Sequence, residues 1–213
     1  MTVLYFVRHG ETDLNRQQRC QGRLDYPLND VGREQAAAAA AMLAEARVDR
    51  IYSSPLRRAL EGAEMIARLK GLPVETRDWL AEIDHGELEG LNIEEADRRR
   101  PGLLRAWAER PESVDFPGGE SLERVGDRAA AGLAEVLDAD CGACVALCTH
   151  QVVAGAARCL LEDLPLSRVW SHKLKNGGIY RFAADDALAA VLAERLRAGR
   201  GAAAQPLIGR KRG

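Results

Sequence analysis

Aromatic residues are scarce in this chain, lysine is scarcer, and no apolar run is long. Phe, Trp and Tyr make up only 5% of its 213 residues, and lysine supplies just four of the 30 basic side chains: Lys70, Lys173, Lys175 and Lys211. No apolar stretch approaches the ~20 residues that a membrane-crossing helix needs. The opening residues, Met1-Thr2-Val3-Leu4-Tyr5-Phe6-Val7, have neither the basic start nor the small-residue cleavage site of an export signal. No membrane partner and a cytoplasmic location are the expectations. Net charge is nearly missing too, at −2, which is too balanced for a protein that coats nucleic acid. Cysteine is limited to five, an odd number with no export signal, and this reads as reduced thiols.

What is present is a globular composition, 46% hydrophobic and 29% charged. A chain of this length should bury roughly 70% of its unfolded surface around one core. We expect a single domain over 1–194. Residues 195–213, rich in Gly, Ala and Arg, read as a frayed basic tail and a solvated terminus rather than a nucleic-acid arm. The excess of arginine suits the gripping of phosphate or carboxylate in a fork, although a compositional bias toward Arg and Ala accounts for it equally well.

Periodicity predicts alternating strands and helices. Thr2–Val7 is an unbroken apolar run, as in a strand buried on both faces. Asn29 can cap a helix through the alanine tract to about Arg47. Val48–Ser53 reads as a second strand, followed by a helix over about Pro55–Lys70, ended by Gly71 and Pro73, and a short strand at Val74–Thr76. Pro101, Pro111 and Pro117 break up residues 78–120. Ser121 can cap a helix to about Leu137, Val145–Thr149 reads as a third buried strand, and a helix follows to about Leu161. Ile179–Phe182 and Ala187–Leu192 are expected as two edge strands. This alternation predicts an α/β fold, a three-layer α/β/α sandwich with a mainly parallel central sheet. Ligands in such folds sit beyond the carboxyl ends of the strands, where Arg8-His9 and His150 both fall.

In Arg8-His9-Gly10-Glu11-Thr12, the glycine permits a close backbone approach, the imidazole offers a nucleophilic nitrogen, and the arginine offers a fixed cation. Neighbouring cations disfavour imidazolium and so keep His9 able to attack. Cys141-Gly142-Ala143-Cys144, with Cys148 and His150, imitates a metal site. On a strand, however, Cys144 and Cys148 would stand ~13 Å apart, too far to share one ion. Small buried hydrophobes are the better account of these cysteines, and no metal is expected. His172 reads as a surface residue. Trp79, Trp107 and Trp170 are scattered in sequence and suggest core or pocket wall.

The opening run Arg8-His9-Gly10-Glu11-Thr12-Asp13-Leu14-Asn15, then Gln21-Gly22-Arg23, Asp25, Pro27-Leu28 and Gly32, strongly resembles the start of the histidine phosphatase superfamily. The resemblance continues at Ser53-Ser54-Pro55-Leu56-Arg57-Arg58-Ala59, Leu80-Ala81-Glu82 with Gly86 to Gly90, Pro117-Gly118-Gly119-Glu120-Ser121, and Thr149-His150. It covers roughly residues 2–182 and implies a phosphoglycerate mutase-like fold.

The resemblance implies a role for each motif residue. His9 is similar to the nucleophile that becomes phosphohistidine, and Arg8, Arg58 and His150 to the pocket holding the phosphoryl oxygens. Asn15, Gln21 and Gly22 match positions that contact phosphate or substrate. The motif selects Arg58 over the adjacent Arg57, and Glu82 over Asp84 as the proton donor. His85 stands where relatives are often aromatic and reads as pocket wall or packing. Two departures are visible: Gly62 where relatives often have threonine, and Gln151 where they commonly have glycine. Gln151 either reaches the substrate or simply opens the next helix.

The implied activity is a phosphomonoesterase acting on a small phosphorylated metabolite, with no cofactor and no metal. The alternative is a phosphoglycerate mutase, which would need 2,3-bisphosphoglycerate. Mutases of the family generally carry a longer insertion between the acid and the second histidine. Arg98-Arg99-Arg100 in this stretch could grip a second phosphate, although a solvated helix face is the better reading. A binder without turnover would need neither His9 nor Glu82. The resemblance also allows for a homodimer.

Overall fold

The computed structural model describes residues 1–192 except 172, 186, 187, 189 and 190. Its elements in chain order are β1 (Thr2–Arg8), α1 (Asp13–Arg16), α2 (Asp30–Met42), β2 (Arg50–Ser53), α3 (Arg57–Lys70), β3 (Glu75–Thr76), α4 (Ile93–Arg99), α5 (Leu103–Glu109), α6 (Leu122–Ala139), β4 (Cys144–Thr149), α7 (Gln151–Leu161) and β5 (Ile179–Ala184). They form a five-stranded sheet in the order β3-β2-β4-β1-β5. Every pairing is parallel except that of β5, which runs antiparallel along β1.

β4 lies in the middle, and all six of its residues are buried, which is why its sequence Cys-Val-Ala-Leu-Cys-Thr carries no charge. Alternation along the strands feeds two cores. Leu4, Phe6, Tyr52, Val145 and Leu147 pack with Leu133, Val136, Ala157 and Leu161 of α6 and α7. Val7, Ile51, Ala146 and Cys148 pack with Ala39, Ala40, Ala63 and Ile66 of α2 and α3. The result is the expected three-layer sandwich. Truncating a fully buried residue such as Phe6 to alanine should cost about 3–5 kcal/mol.

The caps are as the sequence predicts. Asn29 accepts from the Gly32 amide at 2.8 Å, and Ser121 accepts from the Arg124 amide at 3.3 Å. Gly71 closes α3 with φ of 64°, a left-handed conformation that glycine adopts without cost. The alanine-rich helix stops at Met42 rather than Arg47. Its exit loop is held instead by Lys70, whose ammonium donates to the carbonyls of Ala44 and Ala46.

The second expected edge strand, Ala187–Leu192, is corrected. Ala187 lies outside the described residues, and Leu188, Val191 and Leu192 are helical. Leu188 and Leu192 are four residues apart, a helical spacing that turns both onto the core under β5. The 195–213 tail and His172 also lie outside the described residues.

Residues 78–120 build a third cluster with the N-terminal halves of α6 and α7, through Ile83, Leu88, Trp107, Phe116, Val125 and Val152. Trp107 and Trp170 are not scattered in space. Their rings meet edge-on at 5.2 Å, and the Trp170 indole donates to the Trp107 carbonyl at 2.9 Å. Trp79 belongs to the core beneath α6. Among the described residues no helix is long and apolar enough to cross a membrane.

Candidate active site

β1 and β4 run side by side in register, Arg8 opposite Thr149, so the residues that follow each strand emerge together. This is what brings His9 and His150 together, with ring centroids 5.0 Å apart. Glycine is required after His9 because a Cβ on Gly10 would lie 2.1 Å from the carbonyl oxygen of Gly32 at the start of α2.

His9 is buried, and its Nδ1 lies 2.6 Å from the Gly10 carbonyl oxygen. A carbonyl only accepts, so Nδ1 carries the proton and Nε2 keeps its lone pair. Burial first, then the cations of Arg58 and Arg8, holds the His9 pKa well below its ordinary value, against the weaker opposing effect of the Gly10 bond. His150 is likewise held neutral by burial and by Arg58.

The two arginines are held differently. Arg8 places Nη1 on the Leu174 carbonyl at 2.5 Å and on Gln151 Oε1 at 3.2 Å. Both Nη1 protons are thereby spent, while Nε is buried without a partner. Arg58 is 1% exposed and donates from Nε to His150 Nδ1, from Nη1 to the Leu24 carbonyl, and from Nη2 to the Gly22 carbonyl. Burial lowers its pKa to about 10, so it stays cationic near neutrality. Arg57, its neighbour, is exposed, as the helical offset requires.

Glu82 is buried, with Oε1 accepting from the Ile83 amide at 3.0 Å and Oε2 from the Val152 amide of α7 at 3.3 Å. Arg128 donates to the Glu82 carbonyl at 3.2 Å, and two residues earlier Thr149 Oγ1 donates to the Leu80 carbonyl. Asp84, the competing carboxylate, is engaged in its own turn through the Gly86 amide at 2.7 Å. The two carboxylates, between which spacing leaves the choice open, thus differ in that Glu82 reaches an amide of α7.

Asn15 has its Oδ1 filled by the Thr12 amide and hydroxyl and by Asn176. Gln21 is buried, with Oε1 unpartnered, and Gln151 Nε2 is also buried without a partner. Gly22 has φ of 49°, and a Cβ there would overlap the Glu89 carboxylate. His85 packs edge-on against Phe116 at 4.7 Å, in keeping with a wall residue. Arg99 and Arg100 both pair with Glu87 on the surface.

Ser54, Asn176 and Arg128 escape the sequence reading. Ser54 bonds His150 Nε2 at 2.8 Å, and Asn176 donates to the His9 carbonyl at 3.2 Å. Only the turn-forming Asn176-Gly177-Gly178 run and the position of Ser54 inside a quoted motif hint at the first two. The cysteine cluster assembles nothing comparable. Cys144 and Cys148 are buried in β4, and burial pushes the Cys148 thiol up to about 12. Among the described residues no group of three His, Cys, Asp or Glu side chains could hold a metal ion.

Two guanidinium groups, two neutral imidazoles and a carboxyl gathered beyond the ends of parallel strands form a cluster chemically able to hold an oxyanion. The chain belongs to the histidine phosphatase superfamily (branch 1), whose pattern it matches over residues 4–194. It is 39% identical over 176 residues to phosphoserine phosphatase 1 of Hydrogenobacter thermophilus, covering 83% of each chain. It is 38% identical over 179 residues to phosphoglycerate mutase-like protein 4 of Arabidopsis thaliana, covering 83% of this chain and 76% of that one. Among solved structures it resembles Bacillus stearothermophilus YhfR, with a TM-score of 0.83 and 30% identity over 87% of this chain and 92% of the other. It also resembles the mycobacterial glucosyl-3-phosphoglycerate phosphatase complexed with VO3, with a TM-score of 0.79 and 32% identity over 85% and 92%.

Proposed function

We propose that this protein is a phosphomonoesterase that hydrolyses a small phosphate ester through a phosphohistidine on His9. The observation that carries the reading is the orientation of His9, with Nδ1 tied to a carbonyl and an unprotonated Nε2 beside two guanidinium groups. The Nε2 lone pair attacks phosphorus in line, the P–O ester bond breaks, and a proton from the Glu82 carboxyl passes to the leaving oxygen. A water molecule then gives its proton to the Glu82 carboxylate and attacks phosphorus. The P–N bond breaks, inorganic phosphate leaves, and His9 is restored. Arg8 and Arg58 stabilise the phosphoryl oxygens while His150 orients the Arg58 guanidinium through its Nδ1, so the scheme needs neither metal nor cofactor. Asn15, Gln21, Gly22 and Gln151 line the substrate. Phosphatases among the relatives, one acting on phosphoserine by its name and one on glucosyl-3-phosphoglycerate, support hydrolysis.

The test is a screen of phosphate esters in chelator, with and without 2,3-bisphosphoglycerate. We expect phosphate release without that compound, and label retained on the protein after an alkaline quench but lost in acid. Both signals should vanish in His9→Ala. Isomerisation that requires 2,3-bisphosphoglycerate would replace this reading with that of a mutase, and turnover by His9→Ala would remove the nucleophile assignment.

A further inference from the structure

Arg23 carries a buried Nε with no hydrogen-bond partner, although its side chain as a whole is 35% exposed. Burying a cationic donor without a partner is costly, and the cost disappears when an acceptor arrives. Its backbone is not free to wander: the Arg23 amide donates to Glu89 Oε1 at 2.6 Å. The residues on either side give their carbonyls to the Arg58 guanidinium, Gly22 at 2.6 Å and Leu24 at 2.7 Å. Arg23 is therefore anchored one residue from the oxyanion clamp on both sides.

Its guanidinium crosses toward the opposite wall, where Nη2 stands 3.5 Å from Glu120 Oε2. That contact is loose, and Glu120 does not depend on it. Arg128 grips the same carboxylate with two donors at 2.8 and 3.1 Å, and the Asp84 amide adds a third at 3.2 Å. Arg128 in turn reaches the carbonyl of Glu82, so this wall is the one that carries the proton donor. The ester oxygen must leave beside Glu82, and the alcohol attached to it must lie on this side of the crevice. Arg23 can turn from Glu120 onto such a ligand while Arg128 keeps Glu120 neutralised.

We infer that Arg23 is a substrate-binding residue for a second anionic group on the alcohol, making the preferred substrate a phosphate ester whose leaving group bears a carboxylate or another phosphate. The inference rests on the phosphatase reading and names the substrate class for that same site. Arg23 plays no part in the chemical step, so esters without the second charge are turned over without its help.

The test compares 3-phosphoglycerate with glycerol 3-phosphate, which differ by a carboxylate in place of a hydroxymethyl group. A propanediol bisphosphate serves as the phosphate-bearing arm. We expect the intact protein to favour one or both anionic esters by about tenfold or more in kcat/KM, mainly through KM, with the better arm identifying the group. Arg23→Gln should collapse that preference while leaving glycerol 3-phosphate turnover within about threefold, and Arg23→Lys should restore part of it. Equal losses on charged and neutral esters in Arg23→Gln would make Arg23 a mere tether between loops and overturn the inference. So would the absence of any preference in the intact protein, or a preference that survives the substitution. Failure of the intact protein to release phosphate from any ester would overturn the phosphatase reading itself and this inference with it.

Discussion

The Nε of Arg58 donates to Nδ1 of His150 across 3.2 Å, and neither side chain is more than 1% exposed. Arginine cannot accept a hydrogen bond, so Nδ1 is unprotonated and the His150 proton sits on Nε2, where it donates to Ser54 Oγ at 2.8 Å. Ser54 thus selects the tautomer that lets His150 hold the clamp. Ser54→Ala would leave a buried N–H without an acceptor, at about 1–3 kcal/mol. A lower denaturation midpoint is expected, with recovery in Ser54→Thr, which keeps the hydroxyl. An unchanged midpoint in Ser54→Ala would show that the bond contributes nothing.

Both site histidines are buried and neutral in the folded protein, with pKa values well below 6.5. In the unfolded chain they take up protons as the pH falls past that value, while the folded state does not. Stability is therefore complete above about pH 6.5 and declines below it, by roughly 1.4 kcal/mol per pH unit for each histidine until the folded values are reached. Chemical denaturation from pH 7.5 to 5.5 should show this decline, and it should shrink in His150→Asn, with His9 and His85, whose pKa burial also lowers, carrying the rest. A flat profile across that range would mean that the histidines are not held neutral.

If Glu82 protonates the leaving oxygen, its loss should depend on how much that oxygen needs a proton. Glu82→Gln should slow alkyl phosphate turnover about 10²–10⁴-fold. The first-turnover burst of nitrophenol from p-nitrophenyl phosphate, whose anion leaves unaided, should fall far less. Parallel losses on both substrates in single-turnover measurements would assign Glu82 to positioning instead.

Gly62 lies in the middle of α3 and lines a small cavity behind His9, together with Ala36, Ala39 and Cys148. A Cβ there would meet only the Cβ of Ala36, at an ordinary 3.7 Å. Gly62→Ala should therefore stabilise the protein by about 1 kcal/mol, raising Tm by roughly 2–4 °C, with kcat preserved. Thermal denaturation with a parallel activity assay decides it, and a lower Tm would mean that the cavity is already filled by strain elsewhere.

Legibility differed between elements for physical reasons. Thr2–Val7 and Val145–Thr149 were readable because burial in the sheet leaves little room for a charge, and that mark is local. Asn29, Ser121 and Gly71 were readable because caps are set by a single side chain or a single backbone conformation. Leu188, Val191 and Leu192 were misread as strand because so short a run shows no clear period, and the spacing of Leu188 and Leu192 is explained only by the core beneath β5. Arg58 could be separated from Arg57 by motif, but its threefold anchoring to His150, Leu24 and Gly22 depends on segments far apart in the chain.

The linear order of residues already determined the family and the strand–helix alternation, and it singled out His9, Glu82, Arg8, Arg58 and His150 as the candidates. Each of these is carried by a short pattern whose chemistry does not depend on distant contacts. Only the folded chain decided which nitrogen of each histidine holds its proton, that Glu82 rather than Asp84 meets the α7 amide, and that Arg23 stands beside Glu120 with an unfilled donor. Hydrogen bonds are directional over about 3 Å, and their partners here come from segments brought together only when β1 and β4 align.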